Sequence, residues 1–360
     1  MPEPVIFVLS MRKVLIDLHR LGGNKFNGLY HFSYQLGKHL VSSPSDDMEL
    51  YFYLPKTQFG IFGEKVFYVP QRSRDKYYQF GTKKFDIWHI TTAISWYRPF
   101  NKKTKNIFTI HDLNFLNEEE YKTSSKKNYL QLIQQRVNRA DYLTFISNFA
   151  YEQAQQYLKL GKKPFSVIYN GCNIPNIQDM NEPAYLPKKS FLFSIGQLHS
   201  RKNFHVLPPL LTGNDDELII AGVNDTVYAK KVMDEARRYN VEKRVKLIGT
   251  VTENEKHWYY KNCKAFVFPS IGEGFGLPVV EAMYFGKPVF LSKYTSLPEV
   301  GGDAAYYFND FSPDSMQSVF EKGMNEFKNN NRVDAIKQQA AKFNWKKAAG
   351  EYLDVYRSLL

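Results

Sequence analysis

Residues 269–283, Pro269-Ser270-Ile271-Gly272-Glu273-Gly274-Phe275-Gly276-Leu277-Pro278-Val279-Val280-Glu281-Ala282-Met283, decide how this chain is read. The apolar run Lys264 to Phe268 before them reads as a buried strand. Three glycines then let the backbone turn, and Pro278 is placed to open a helix. Unpaired N–H groups at a helix start attract phosphate. Glu273 falls in the turn and Glu281 about one helical turn inside the helix, so both carboxylates can face one cleft as acceptors for hydroxyl groups.

Outward from this segment, short apolar runs alternate with longer helical patterns, the sequence form of parallel strands joined by crossover helices. In the first half strands are expected at Lys13–Leu18, Glu49–Leu54, Lys65–Val69, Asp86–Ile90, Asn106–His111, Tyr142–Ile146 and Ser166–Tyr169. Helices are expected at Leu29–Val41, Ser125–Ala140 and Phe149–Leu158. Asn170-Gly171 is a turn signal, and the proline-rich, aperiodic stretch 173–189 reads as a linker. The second series has strands at Ser190–Ile195, Glu217–Ala221, Val245–Ile248, Ala265–Phe268, Pro288–Leu291 and Ala304–Phe308. Its helices are Asn203–Leu211, Thr226–Tyr239, Glu253–Lys261 and Pro313–Asn329. The expectation is an α/β protein of two doubly wound, Rossmann-like domains, 1–172 and 190–344. Residues 345–360 form a last helix with an apolar face of Trp345, Ala348, Ala349, Tyr352, Leu353, Tyr356 and Leu360.

A length of 360 residues exceeds one ordinary core, which agrees with two domains. The composition, 43% hydrophobic and 23% charged, with no apolar run long enough to cross a bilayer, excludes a helical membrane protein. Residues 1–10 lack a basic start and a small-residue cleavage site. They read as an extension before the first strand, and whether they belong to the native start is open. Cys172 and Cys263 stand apart, without metal-ligand spacing, which fits a reducing, cytoplasmic compartment.

The net charge of +12 is uneven: residues 1–170 hold 24 Lys and Arg against 14 Asp and Glu. Arg98, Lys102, Lys103 and Lys105 cluster, as do Lys122, Lys126 and Lys127. Tyr51, Phe52, Tyr53, Phe59, Phe62 and Phe67 lie in the same half. Such a face suits an anionic membrane surface or an anionic acceptor, and equally a soluble exterior.

Six further places carry chemistry. After the strand Ser190–Ile195, Gly196-Gln197-Leu198-His199-Ser200-Arg201-Lys202-Asn203 brings two cations to an expected helix start. Cations are wrong for a helix N-terminus, and right for a diphosphate bound there. His19 to Gly28, with Gly22 and Gly23, forms a glycine-containing loop at the carboxyl edge of the first sheet, where ligands bind. His111-Asp112 ends another strand at that edge. Ser147-Asn148, Asn170-Gly171 and Gly249-Thr250-Val251 also stand at strand ends. No Asp-x-Asp or dense carboxylate cluster suited to a divalent metal occurs.

The two-glutamate turn, with seven residues between the acids, and the Gly196…Arg201-Lys202-Asn203 run resemble retaining GT-B glycosyltransferases of family 4. His111-Asp112-Leu113 and Tyr294-Thr295-Ser296-Leu297-Pro298-Glu299-Val300 also fit that pattern. The resemblance implies transfer of a hexose from a nucleotide sugar, UDP- or GDP-linked, to a glycan or lipid-linked glycan in lipopolysaccharide or capsule assembly, with no metal or other cofactor. It implies that Arg201 and Lys202 hold the diphosphate, Glu273 the sugar hydroxyls, Glu281 the ribose, and His111 the transferred sugar. The backbone around Gly274, Phe275, Gly276 and Leu277, with Gly22, Gly23 and Gly196, would meet the donor, and Thr250 and Val251 its base. Ser147 and Asn170 would line the acceptor side, Glu299 would support, and Trp345 would anchor a hinge. The protein is expected in the cytoplasm, peripheral to the membrane, without nucleic acid. A GT-B epimerase or phosphorylase would use the same cleft, and a basic nucleic-acid-binding protein with a retired sugar site is the reading from another class.

Overall fold

The computed structural model describes residues 11–23, 28–45, 47–77, 85–93, 95, 97, 99, 101–118, 122–172, 182–223 and 226–360. Seven parallel strands form the first sheet: β1 (Arg12–Asp17), β2 (Met48–Leu54), β3 (Phe67–Pro70), β4 (Ile87–Ile90), β5 (Lys105–Ile110), β6 (Tyr142–Phe145) and β7 (Phe165–Val167). Their order is β3-β2-β1-β4-β5-β6-β7. The second sheet holds β8 (Phe191–Ile195), β9 (Glu217–Ala221), β10 (Val245–Leu247), β11 (Ala265–Phe268), β12 (Val289–Leu291) and β13 (Tyr306–Tyr307), in the order β10-β9-β8-β11-β12-β13. Both orders reverse next to their first strand, between β1 and β4 and between β8 and β11. Crevices at such reversals, outside the carboxyl ends of the strands, bind ligands.

The helices are α1 (Gly28–Val41), α2 (Thr123–Arg139), α3 (Asn148–Tyr157), α4 (Thr226–Arg238), α5 (Glu253–Asn262), α6 (Leu277–Tyr284), α7 (Leu297–Gly301), α8 (Pro313–Asn329), α9 (Val333–Ala341) and α10 (Trp345–Leu359). Central strands read as nearly continuous apolar runs because both faces are covered, as in Glu217–Ala221, where every residue is buried and only Glu217 is polar. The expected elements lie close to these bounds, with one clear exception. Asn203–Leu211 is not a helix but two 3-10 turns, Phe204–Val206 and Pro208–Leu211, with Asn203 left-handed at φ 57°. Pro208 and Pro209 cannot donate the backbone bonds a continuous α-helix needs. The short helices α7 and α9 were not expected.

The last helix leaves the second sheet and packs on the first half. The Trp345 ring stands edge-on to Phe32 of α1 at 5.8 Å and stacks on His39 at 6.3 Å. Tyr356 meets the buried His89 at 2.8 Å, and Arg357 pairs with Asp47 at 2.9 Å. A Cβ on Gly171 would lie 2.1 Å from the Trp345 amide nitrogen, so the chain passes the start of α10 with no room for a side chain. Of the expected linker, residues 173–181 lie outside the described ones. The first half's aromatics also need correction: Tyr51, Phe52, Tyr53 and Phe62 are core, whereas Phe59 and Phe67 are exposed.

Candidate active site

The loop after β8 and the turn after β11 lie side by side. The Arg201 carbonyl accepts from the Ile271 N–H at 2.8 Å and from the Ser270 hydroxyl at 3.1 Å. Gly196 has φ +153°, and a Cβ there would come within 3.2 Å of the Lys202 Cε, so its bareness makes room for the lysine stem. Lys202 is buried, 5.1 Å from the Phe268 ring centre, and its Nζ meets Glu273 Oε1 at 2.5 Å. No α-helix starts at Arg201-Lys202; the two residues end a 3-10 turn, and their charges answer carboxylates rather than a helix dipole.

Arg201 reaches across to the first half, where its Nη1 meets Glu118 Oε1 at 2.8 Å. Burial opposes its charge, but Glu118, Glu273 and Asp112 outweigh that and hold its pKa above the ordinary value. Asp112 is pushed up by burial and by Glu273 and Glu118, against the Asn114 N–H and Arg201. Two cations thus share one spot with three carboxylates. Sequence reasoning missed Glu118, which follows the His-Asp segment with no motif of its own.

The turn itself closes the cleft. A Cβ on Gly274 would lie 2.7 Å from Asp112 Oδ2 and 2.8 Å from the His111 carbonyl oxygen, so only glycine lets the two halves approach here. The Gly274 carbonyl accepts from the Ser147 hydroxyl at 2.7 Å. Glu273 N–H donates to Thr295 Oγ1 at 3.1 Å, and Ser296 donates to the Phe275 carbonyl at 2.8 Å. Gly276, at φ +108°, caps α6, in which Leu277 is first and Pro278 second, one place later than expected.

His111 Nε2 lies 2.8 Å from the Thr91 carbonyl, and its ring stands edge-on to Phe32 at 4.6 Å. Burial, with a smaller push from Arg20 and a counter-pull from the Thr91 carbonyl, lowers its pKa to about 4. The ring is neutral near pH 7. A carbonyl oxygen can only accept, so Nε2 carries the hydrogen and Nδ1 is left as an acceptor.

Glu281 differs from expectation. Its carboxylate is not open to the cleft on both oxygens: Oε1 takes the Lys256 ammonium at 2.9 Å and Oε2 the Tyr260 hydroxyl at 3.0 Å. Gly22 is small because a Cβ would meet Pro55 Cγ at 2.7 Å, and the Gly23 N–H donates to the Arg20 carbonyl at 3.0 Å. Both observations tie these glycines to the loop itself. Ser147 caps α3, accepting from the Ala150 N–H, and sits between the halves rather than on an open acceptor face. Asn170 is buried, and its Oδ1 finds no partner among the described residues. Beside it, Glu299 of α7 takes the Asn148 N–H at 2.7 Å, the Phe149 N–H at 3.2 Å and the Tyr169 hydroxyl at 2.5 Å, so a second-half carboxylate caps a first-half helix.

Gly249, at φ +73°, turns the chain after β10, leaving Thr250 exposed and Val251 half-buried. A mostly apolar groove of about 530 Å³ follows the outer edge of β10 past Tyr185, Met233 and Tyr259. It shares Thr250 and Val251 with the expected site but none of the charged cleft. Among the described residues no group of three or more His, Cys, Asp or Glu is placed to hold a metal ion. No helix among them is long and apolar enough to cross a membrane.

Residues 39–174 match the family described as Glycosyltransferase Family 4, and residues 177–343 match Glycosyl transferases group 1. The chain belongs to glycosyltransferase family 4. The chain is 28% identical over 285 residues to the serotype-specific mannosyltransferase WbdA of Escherichia coli, covering 72% of this chain and 34% of that protein. It therefore spans about a third of that relative's length. It is 25% identical over 296 residues to the O-antigen chain mannosyltransferase B of Escherichia coli, covering 75% and 74% of the two chains. Sucrose-phosphate synthase from Thermosynechococcus elongatus superposes with a TM-score of 0.73 at 16% identity, over 97% of this chain and 99% of that one. That likeness establishes the GT-B fold of the chain.

Proposed function

We propose that the protein transfers a hexose from a nucleotide sugar to a glycan hydroxyl in polysaccharide assembly of the O-antigen kind, with the anomeric configuration kept. The observation that carries this reading is the meeting of Arg201, Lys202 and Glu273 with the Gly274 turn, packed directly against His111-Asp112 of the other half. Mannose is the first sugar to test, because the relatives WbdA and O-antigen chain mannosyltransferase B are named for it.

In this reading the donor's diphosphate takes the cations that now answer Glu118 and Glu273. Each charge-assisted bond to phosphate contributes about 1.5–3 kcal/mol. Arg201 and Lys202 then neutralise the charge that grows as the bond between the anomeric carbon and the phosphate oxygen breaks, the work a divalent ion does elsewhere. Glu273, freed, accepts from sugar hydroxyls, and His111 accepts through Nδ1. The acceptor oxygen bonds to the anomeric carbon on the face the phosphate leaves, and its proton passes to the departing phosphate oxygen. The halves must part for the donor to enter and close again for reaction.

Lys102, Lys103, Lys105, Lys122 and Lys127 are exposed on the first half, with Phe67 and Tyr77. They favour docking on an anionic membrane that carries a lipid-linked acceptor, at about 1 kcal/mol per well-placed cation. A binding screen of GDP-mannose, UDP-glucose, UDP-galactose and ADP-glucose, followed by transfer with and without chelator, tests the reading. Binding of none of them removes it, and activity that returns only with added manganese removes the metal-free part. Proton NMR of the product's anomeric centre decides retention.

A further inference from the structure

We infer that Lys256 is a positioning residue for the nucleoside half of the donor. It fixes Glu281 against the Thr250–Val251 turn so that carboxylate and turn read one nucleoside together. The inference rests on the reading above, in which Glu281 meets the ribose and that turn meets the base.

The geometry is that of a frame. α5 begins two residues after Val251 with a capping box, in which Thr252 accepts from the Glu255 N–H and Glu255 reaches back to the Thr252 N–H. One turn further along, the Lys256 ammonium bridges Glu253 Oε2 and Glu281 Oε1, each at 2.9 Å. One turn beyond that, Tyr260 holds the other Glu281 oxygen at 3.0 Å. Lys256 and Tyr260 lie four apart and so project from the same face of α5, and together they clamp both oxygens of a carboxylate on α6. A lysine is dehydrated at a cost, and here its charge is held because Glu281 and Glu253 outweigh burial.

A salt bridge this deep could be packing alone, but the replacement that would serve packing is apolar, and an apolar side chain would leave Glu281 free to turn. Two further features point to the cleft. The pair is not sealed: the side chains of Lys256 and Glu281 keep 10% and 7% of their exposure. Around it stand His257 on α5, His31 on α1 of the other half and Cys172 at the end of the first domain's last loop, all close enough to act electrostatically on this cluster. The frame therefore borders the interdomain space at its Glu281 end, while its Glu253 end is exposed. A carboxylate offers about four acceptor positions, and the two taken leave two for ribose hydroxyls, in a direction the clamp sets.

The test uses the full chain with the nucleotide sugar that the wild type binds. Lys256→Met should raise the donor KM, and the Kd for the free nucleoside diphosphate, by about tenfold or more, the loss of one charge-assisted bond. The kcat at saturating donor should stay within a few-fold, and discrimination between nucleosides should narrow. Lys256→Arg, which keeps the bridge, should recover most of the KM. Tyr260→Phe, which removes one hydroxyl from a well-packed ring, should raise KM a few-fold and is the measure to use where Lys256→Met does not fold. If a folded Lys256→Met, or where it does not fold Tyr260→Phe, keeps the wild-type KM and selectivity and loses only thermal stability, the frame is packing and the inference falls alone. If the wild type binds no nucleoside diphosphate, the functional reading falls and takes this inference with it.

Discussion

Glu273 and Glu281 leave the same turn-and-helix segment, and each meets a lysine, yet the two pairs are built for opposite purposes. Glu273 meets Lys202 from a separate loop, at a junction crowded by Arg201, Glu118 and Asp112 from both halves. Its charges can be re-partnered by one incoming anion. Glu281 is clamped by two side chains of one helix, and Lys256 has a second carboxylate behind it. On the proposed function, the first pair is a lock that a diphosphate would open, and the second a fixture that would stay closed while a nucleoside sits against it. Proximity to a helix start does not separate them. What separates them is whether the partner comes from a loop at the junction of the two halves or from a neighbouring helix.

Several measurements would break or sharpen this contrast. The largest effect is expected at the openable pair: Lys202→Ala should lower kcat on the order of 10²–10³, the usual cost of removing one preorganised charge stabiliser. The Lys256 variant should act on KM instead. Equal effects of both on kcat would erase the distinction. Next, Gly274→Ala puts a methyl group within 2.7 Å of Asp112 and should hold the halves apart on Glu273's side only. A loss of about 10² in kcat, with donor binding to the second half kept in calorimetry, is the expected outcome.

Acid should also act on Glu273's side. The His111 pKa of about 4 lies below the ordinary value near 6.5, so between those values the unfolded chain takes a proton that the folded one refuses. Stability is then fully present above pH 6.5 and falls as pH drops towards 4, by about 1.4 kcal/mol per pH unit for each such histidine. His89, lowered to about 3, and His205, to about 4, add to the slope, each shifted mainly by burial. Denaturation followed against pH should therefore show a shallower slope in His111→Asn by one histidine's share, and an unchanged slope would place the titration elsewhere. The smallest effect is expected at the clasp: Glu299→Gln weakens the cap on α3 and should cost about 1 kcal/mol, seen as a small fall in Tm. A larger fall in kcat than in stability would mark Glu299 as part of closure.

Much of this was legible in advance. Strands such as Glu217–Ala221, apolar from Leu218 onward, and Ala265–Phe268 show themselves because a strand buried on both faces is nearly all apolar. The Gly274 turn and Lys202 were found because their signal is local, a glycine or a cation where the chain otherwise gains nothing from it. The helix expected over Asn203–Leu211 is absent because Pro208 and Pro209 withhold two backbone donors from it. Glu118, Thr295, Lys256 and Tyr260 were missed for a different reason. Each is an ordinary residue in its own segment, and its role exists only through a partner 21 to 83 positions away.

The sequence by itself determined two parallel sheets and the glycine-rich turn with its two acids, because periodicity, turn chemistry and helix starts are properties of neighbouring residues. Which cation each acid would face, and that one pair would lie at the junction with the other half while the other was clamped between two helices, was decided only by tertiary structure. Charges choose partners through space and burial, and both are set when the chain folds back on itself.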